Sequence, residues 1–138
     1  MIIVDTNVLS EFTRPEPSEQ VEAWFYSQNA GNLATTSVTE GELYYGVQCM
    51  PEGRRKTETA RAYNALLNHL GGGIHVFDRE AAHEFALVAA WRWRAGLKAD
   101  SADCQIAAVA RLLGASVATR NVGDFTHTGV EIINPWTA

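Results

Sequence analysis

The stretch that decides the fold is Ile2-Ile3-Val4-Asp5-Thr6-Asn7-Val8-Leu9. Three β-branched apolar residues in a row read as a short buried strand, and Asp5-Thr6-Asn7 end it in a turn. Val8, Leu9 and Phe12 then resume at helical spacing until Pro15 and Pro17 stop the helix. Working outward, Ser18 can cap a helix carrying Val21, Trp24 and Phe25, and Leu33-Ala34-Thr35-Thr36 reads as a second strand. Ser37 followed three residues later by Glu40 has the form of a capping box, opening a helix with Val38, Leu43, Val47 and Met50. A polar helix over residues 55–70 closes on Gly71-Gly72-Gly73, a helix end and turn rather than a phosphate loop, since no Lys-Ser/Thr follows. Ile74, Val76 and Phe77 form a third apolar run. Helices through Phe85–Trp91 and Ile106–Leu113 follow, and Ser116-Val117-Ala118-Thr119 and Val130-Glu131-Ile132-Ile133 supply two last strands. Strands alternating with helices imply parallel pairing. The expectation is one domain over residues 1–138: a three-layer α/β/α fold around a central, mostly parallel, twisted sheet of about five strands.

Composition bounds the rest. At 138 residues with 46% hydrophobic and 20% charged side chains, the chain has the balance of a globular domain, not a disordered one. A formal charge of −5 argues against binding nucleic acid by bulk charge but leaves open a site that meets phosphate through a metal ion. The longest apolar run, Phe85 to Trp91, falls far short of the ~20 residues that span a bilayer. The first residues lack a basic leader segment, so a cytoplasmic protein is expected. Cys49 and Cys104 form no disulfide framework or zinc spacing, and both are expected reduced, in or near the core. His69, His75, His83 and His127 are scattered, as surface or packing residues would be.

Three carboxylates stand out. Asp5 follows the first strand at its carboxyl end, where open α/β sheets place their ligand crevice. Glu42 shares a helical face with Val38, Tyr45, Gly46 and Cys49, and Asp103 one with Ile106, Ala107 and Ala110. Each also has an ordinary explanation: Asp5 as a turn residue, Glu42 as a half-exposed helix residue, Asp103 as an acid favoured by a helix N-terminus. A fourth position lies after the strand ending at Thr119, at Asn121 or Asp124. Oxygen ligands without His or Cys suit Mg²⁺ or Mn²⁺, which can generate hydroxide and stabilise charge on a phosphodiester. Arg14, Arg120 and Arg54-Arg55-Lys56 are candidate phosphate contacts, but a solvated surface role is the better account of each.

Four ordered segments resemble the PIN-domain ribonucleases. Residues Ile2-Ile3-Val4-Asp5-Thr6-Asn7-Val8-Leu9 are similar to the first motif of that family and Thr39-Glu40-Gly41-Glu42-Leu43-Tyr44-Tyr45-Gly46 to the second. Ser101-Ala102-Asp103-Cys104-Gln105-Ile106-Ala107-Ala108-Val109-Ala110 resembles the third; Thr119-Arg120-Asn121-Val122-Gly123-Asp124-Phe125 and Ile133-Asn134-Pro135-Trp136 resemble the ending of VapC- and FitB-type toxins. The resemblance implies a Mg²⁺- or Mn²⁺-dependent endoribonuclease, the toxin of a bacterial type II toxin–antitoxin pair. It implies metal-site roles for Asp5, Glu42 and Asp103, with Asp124 as the fourth acid. It also implies an RNA substrate, a homodimer, and a heterotetramer or larger assembly with a VapB- or FitA-type antitoxin, through which alone DNA is met. Many relatives have aspartate where Asn121 stands. A neutral amide there can orient a water at the ion while Asp124 acts through its field or a hydrogen bond.

Two rivals are set aside on residues. A receiver-like phosphoacceptor domain wants adjacent acids after the first strand and a lysine after a late one, whereas the only lysines are Lys56 and Lys98. A D-x-D phosphatase is opposed by Asn7 at the second acid position. A catalytically weak binding module of the same fold stays open on the strength of Asn121.

Overall fold

The computed structural model describes all 138 residues. Five short strands form one sheet: β1 (Ile2–Val4), β2 (Leu33–Thr36), β3 (Ile74–His75), β4 (Ser116–Ala118) and β5 (Ile132–Ile133). Their order is β3-β2-β1-β4-β5 and every pairing is parallel, so the sheet is wholly rather than mostly parallel. Six helices connect them: α1 (Thr6–Glu11), α2 (Glu19–Ser27), α3 (Ser37–Gln48), α4 (Arg54–His69), α5 (Arg79–Arg94) and α6 (Ala102–Leu112).

Alternation along each strand divides the core into two layers. Ile2, Val4 and Leu33 face one side, where Val8, Leu9, Val21, Phe25, Leu43, Val47 and Leu66 from α1–α4 cover them. Ile3, Ala34 and Val117 face the other, against Val88 of α5 and Cys104, Ile106, Ala107 and Ala110 of α6. This is the expected three-layer arrangement. The strand order also removes the receiver-like alternative, whose doubly wound sheet runs 2-1-3-4-5.

Some local expectations need correction. Thr36, not Ser37, caps α3: its backbone stays extended (φ −119°, ψ 157°) and its hydroxyl accepts the Thr39 N–H at 3.1 Å. The Ser37 hydroxyl instead accepts the Phe77 N–H at 3.2 Å, which pins the chain leaving β3. The third and fifth strands are shorter than their apolar runs, because Val76 and Phe77 turn away toward α5 and Gly129 (φ 76°) bends the chain just before β5. Gly72 does more than end a helix. A Cβ there would lie 2.6 Å from the Leu33 carbonyl oxygen, so only glycine lets this turn lie against β2. Of the two thiols, Cys104 is buried as expected but Cys49 is exposed. No helix is long and apolar enough to cross a membrane.

Candidate functional site

The chain leaves β1 toward β2 and β3 on one side, and later returns to place β4 and β5 on the other. The carboxyl ends of β1 and β4 therefore form the switch point where such sheets open a crevice. Asp5 and Thr119 stand there, one residue beyond their strands. The Asp5 N–H donates to the Ala118 carbonyl at 2.9 Å, and the Thr119 hydroxyl donates to Asp5 Oδ2 at 2.8 Å. Asn7 Nδ2 reaches the same Oδ2 at 3.1 Å and Thr119 Oγ1 at 3.1 Å, while Asp5 Oδ1 accepts the Thr6 N–H at 2.8 Å as cap of α1. Three donors thus hold a carboxylate that is 3% exposed.

The other acids come from the two helices that border this crevice. Glu42 of α3 is held by the Thr6 hydroxyl, which donates to its Oε1 at 2.9 Å. Its helical face is not apolar cover, as the spacing suggested. Tyr45 and Cys49 on that face are exposed, and the buried side of α3 is Thr39, Leu43 and Val47. Glu42 therefore sits at a rim. Asp103, in the first turn of α6, is half-buried, and Ile106, Ala107 and Ala110 on its face are buried as expected.

Asp5, Asp103 and Glu42 lie within one another's electric field. Burial raises the Asp5 pKa from 3.8 to about 6, against the lowering effect of its Thr119 and Thr6 hydrogen bonds, and Asp103 and Glu42 add repulsion. Burial also raises Asp103, with Asp124 and then Glu42 repelling, while Lys98 and Arg92 pull the other way. None of the four acids has a Lys, Arg or His in ion-pair contact. The donor set is all oxygen and none of it is in an ion pair, which fits the chemistry of a hard divalent cation such as Mg²⁺ or Mn²⁺. No three His, Cys, Asp or Glu side chains are grouped closely enough, as they stand, to hold a metal ion together.

The fourth position resolves into two different placements. Asn121 is exposed; its N–H donates to Thr119 Oγ1 at 3.0 Å, and its side chain makes no capping hydrogen bond. Asp124 lies in a 3-10 turn (Val122–Phe125), partly buried and in the field of Asp103.

A family model for the PIN domain matches residues 2–130. The chain belongs to the PIN domain family. It is 38% identical over 137 residues to a VapC ribonuclease, Y4jK, of Sinorhizobium fredii, a match covering 99% of this chain and 98% of that protein. It is 35% identical to toxin FitB of Neisseria gonorrhoeae over 99% of both chains. Its fold superposes on the crystal structure of FitAcB from Neisseria gonorrhoeae with a TM-score of 0.92 at 34% identity, covering all of both chains.

Several residues of this PIN domain that build the site carry no signal in the acid pattern. Thr6, Asn7 and Thr119 act on the acids through hydrogen bonds. Arg92 is the least obvious. It is 3% exposed in α5, and its guanidinium donates to the carbonyls of Lys98 (2.7 Å), Gly123 (3.2 Å) and Thr126 (2.6 Å). It thereby ties the loop before α6 to the turn that carries Asp124. Its one signal in the sequence is its place four residues after Val88, on the buried stripe of α5.

Proposed function

We propose that residues 1–138 act as a single-domain, divalent-metal-dependent endoribonuclease in the cytoplasm, the toxin of a toxin–antitoxin pair. The observation that carries this reading is Asp5, buried at the carboxyl end of β1 with no cation paired to it, with Asp103 and Glu42 near enough to repel it. Kinship to a VapC ribonuclease and to toxin FitB supports the same reading. Asp5, Glu42, Asp103 and Asp124 would hold Mg²⁺ or Mn²⁺. When bound, the ion supplies Lewis acidity toward the phosphodiester and lowers the pKa of water.

The chain's own groups do the positioning. Thr119, Asn7 and the Thr6 N–H fix the Asp5 carboxylate, and the Thr6 hydroxyl aims Glu42. The Asn121 amide, exposed and free of capping bonds, orients the attacking water, and Asp124 acts on Asp103 through its field. Uncompensated acids also define the inhibitor: a small antitoxin of VapB or FitA type that sets an arginine fork against one carboxylate and competes with both ion and RNA. Kinship to the FitB chain of FitAcB favours that assembly, built on a homodimer.

The test is to map RNA ends after incubation with purified protein, in Mg²⁺ or Mn²⁺ and in chelator. Cleavage should require the ion and disappear in Asp5→Asn and in Asp103→Asn, with both variants folded. Cleavage at the wild-type rate in either variant, at saturating ion, would remove that residue from the site. Binding of RNA without cleavage in any metal would favour the catalytically weak module that Asn121 suggests.

A further inference from the structure

Arg120 and Trp136 follow adjacent strands, β4 and β5, at the carboxyl edge of the sheet where the acids lie. The Arg120 guanidinium stands over the Trp136 ring, 5.2 Å from its centroid, within cation–π range. The Arg120 N–H donates to Asn7 Oδ1 at 3.1 Å, and Nδ2 of the same Asn7 donates to Asp5 Oδ2. One carboxamide thus couples the backbone of the cation to the central acid. Of the other surface cations that sequence offered to phosphate, Arg14, Arg54 and Lys56 are engaged elsewhere. Arg14 pairs with Glu11, Arg54 with Glu58 and Lys56 with Glu52, while Arg55 lines a groove beside Tyr63. Arg120 is exposed, has no carboxylate partner, and its guanidinium makes no hydrogen bond to the protein.

We infer that Arg120, seated on Trp136, binds a backbone phosphate of single-stranded RNA beside the acid site and so sets how the strand enters. This rests on the ribonuclease reading. The chemistry follows from charge and shape. A strand approaching clustered carboxylates on a chain of net charge −5 needs a local cation, and the planar guanidinium fork matches phosphate. Stacking on Trp136 orders that fork in advance and leaves its N–H edges free. Lys98, exposed and felt by Asp103, gives a second positive point on the border of the site.

The experiment measures binding of a fluorescently labelled, mixed-sequence single-stranded RNA to the Asp5→Asn protein in Mg²⁺ across a range of salt. Adding Arg120→Gln should weaken binding and reduce the log–log salt slope by about 0.7, the loss of one single-strand phosphate contact. Arg120→Lys should restore the slope, and Trp136→Leu should keep it while lowering affinity, because the charge remains but is no longer seated. If Arg120→Gln and Trp136→Leu lower only the melting temperature, leaving Kd and slope unchanged, the pair is a structural staple and the inference fails. RNA that binds with an unchanged slope refutes this inference alone. RNA that binds neither the Asp5→Asn protein nor wild type, in Mg²⁺ or in chelator, refutes the ribonuclease reading and this inference with it.

Discussion

Acidification should stabilise this protein in chelator, against the usual trend, and Asp5 is the reason. Its carboxyl ionises near 6 in the folded chain and near 3.8 in the unfolded one, because burial outweighs its three hydrogen-bond donors. The folded state therefore binds a proton before the unfolded state does as pH falls. The cost of keeping Asp5 charged is full above about pH 7, shrinks as pH drops through 6, and is gone below 3.8. The gap between 3.8 and about 6 corresponds to about 3 kcal/mol in all, of which about 1.4 kcal/mol is recovered between pH 8 and pH 5. Asp103 is raised as well and adds to the effect. Asp5→Asn removes the titration, but an amide offers one acceptor where three donors point, costing about 1–3 kcal/mol that does not vary with pH. Urea unfolding of both proteins at pH 8 and pH 5 separates the two effects. The pH-dependent difference between them should be about 1.4 kcal/mol, with wild type gaining more on acidification. Equal pH slopes would show that Asp5 is not held charged at a cost, and the case for a site shaped for a cation would fall with it.

Further outcomes follow from the same geometry. Saturating Mn²⁺ at neutral pH should raise the wild-type unfolding free energy, by about 2.7 kcal/mol at one hundred times Kd, and leave Asp5→Asn unmoved; calorimetry with and without chelator checks this. Asp124→Asn should lose less cleavage than Asp5→Asn, and Asn121→Asp should keep or strengthen Mn²⁺ binding by titration calorimetry; a loss in Asp124→Asn equal to that of Asp5→Asn would make Asp124 a direct ligand. Arg92→Met should destabilise by about 1–3 kcal/mol, since three carbonyls lose their donor, with denaturant midpoints as the measure.

Much of the fold is legible in the sequence because it rests on local patterns. Apolar runs two to four residues long, separated by helices with caps and glycine stops, leave few topologies besides a parallel sheet. The departures lie where one residue has two uses. Thr36 ends a strand and caps a helix, and Ser37 bonds outward to Phe77, so a capping rule read along the chain assigns the cap one residue late. The acids are visible one by one, since charge at a strand end or among apolar residues is conspicuous. Their nearness to one another is not, because it depends on β1 lying between β2 and β4. The neutral groups that hold them are hidden for a related reason: Thr119 meets Asp5 across 114 positions, a distance no periodicity spans. The surroundings of Glu42 escape the helical pattern too, because a helical face at the rim of a crevice is wet even where its neighbours are aromatic.

That separation has a consequence for synthesis. The first strand is also the central one, and its second neighbour, β4, is made last but one. At about 5–20 residues per second, roughly 6–23 seconds pass on the ribosome between Asp5 and the threonine that fixes it. Throughout that interval the nascent chain has one flank of β1 unpaired and no assembled crevice. A sheet closed by so distant a pairing also forms slowly after release, because the long loop must be ordered before the contact repays it. The connectivity is thus a delay line: the crevice is assembled only once translation has passed Thr119, near the end of the chain.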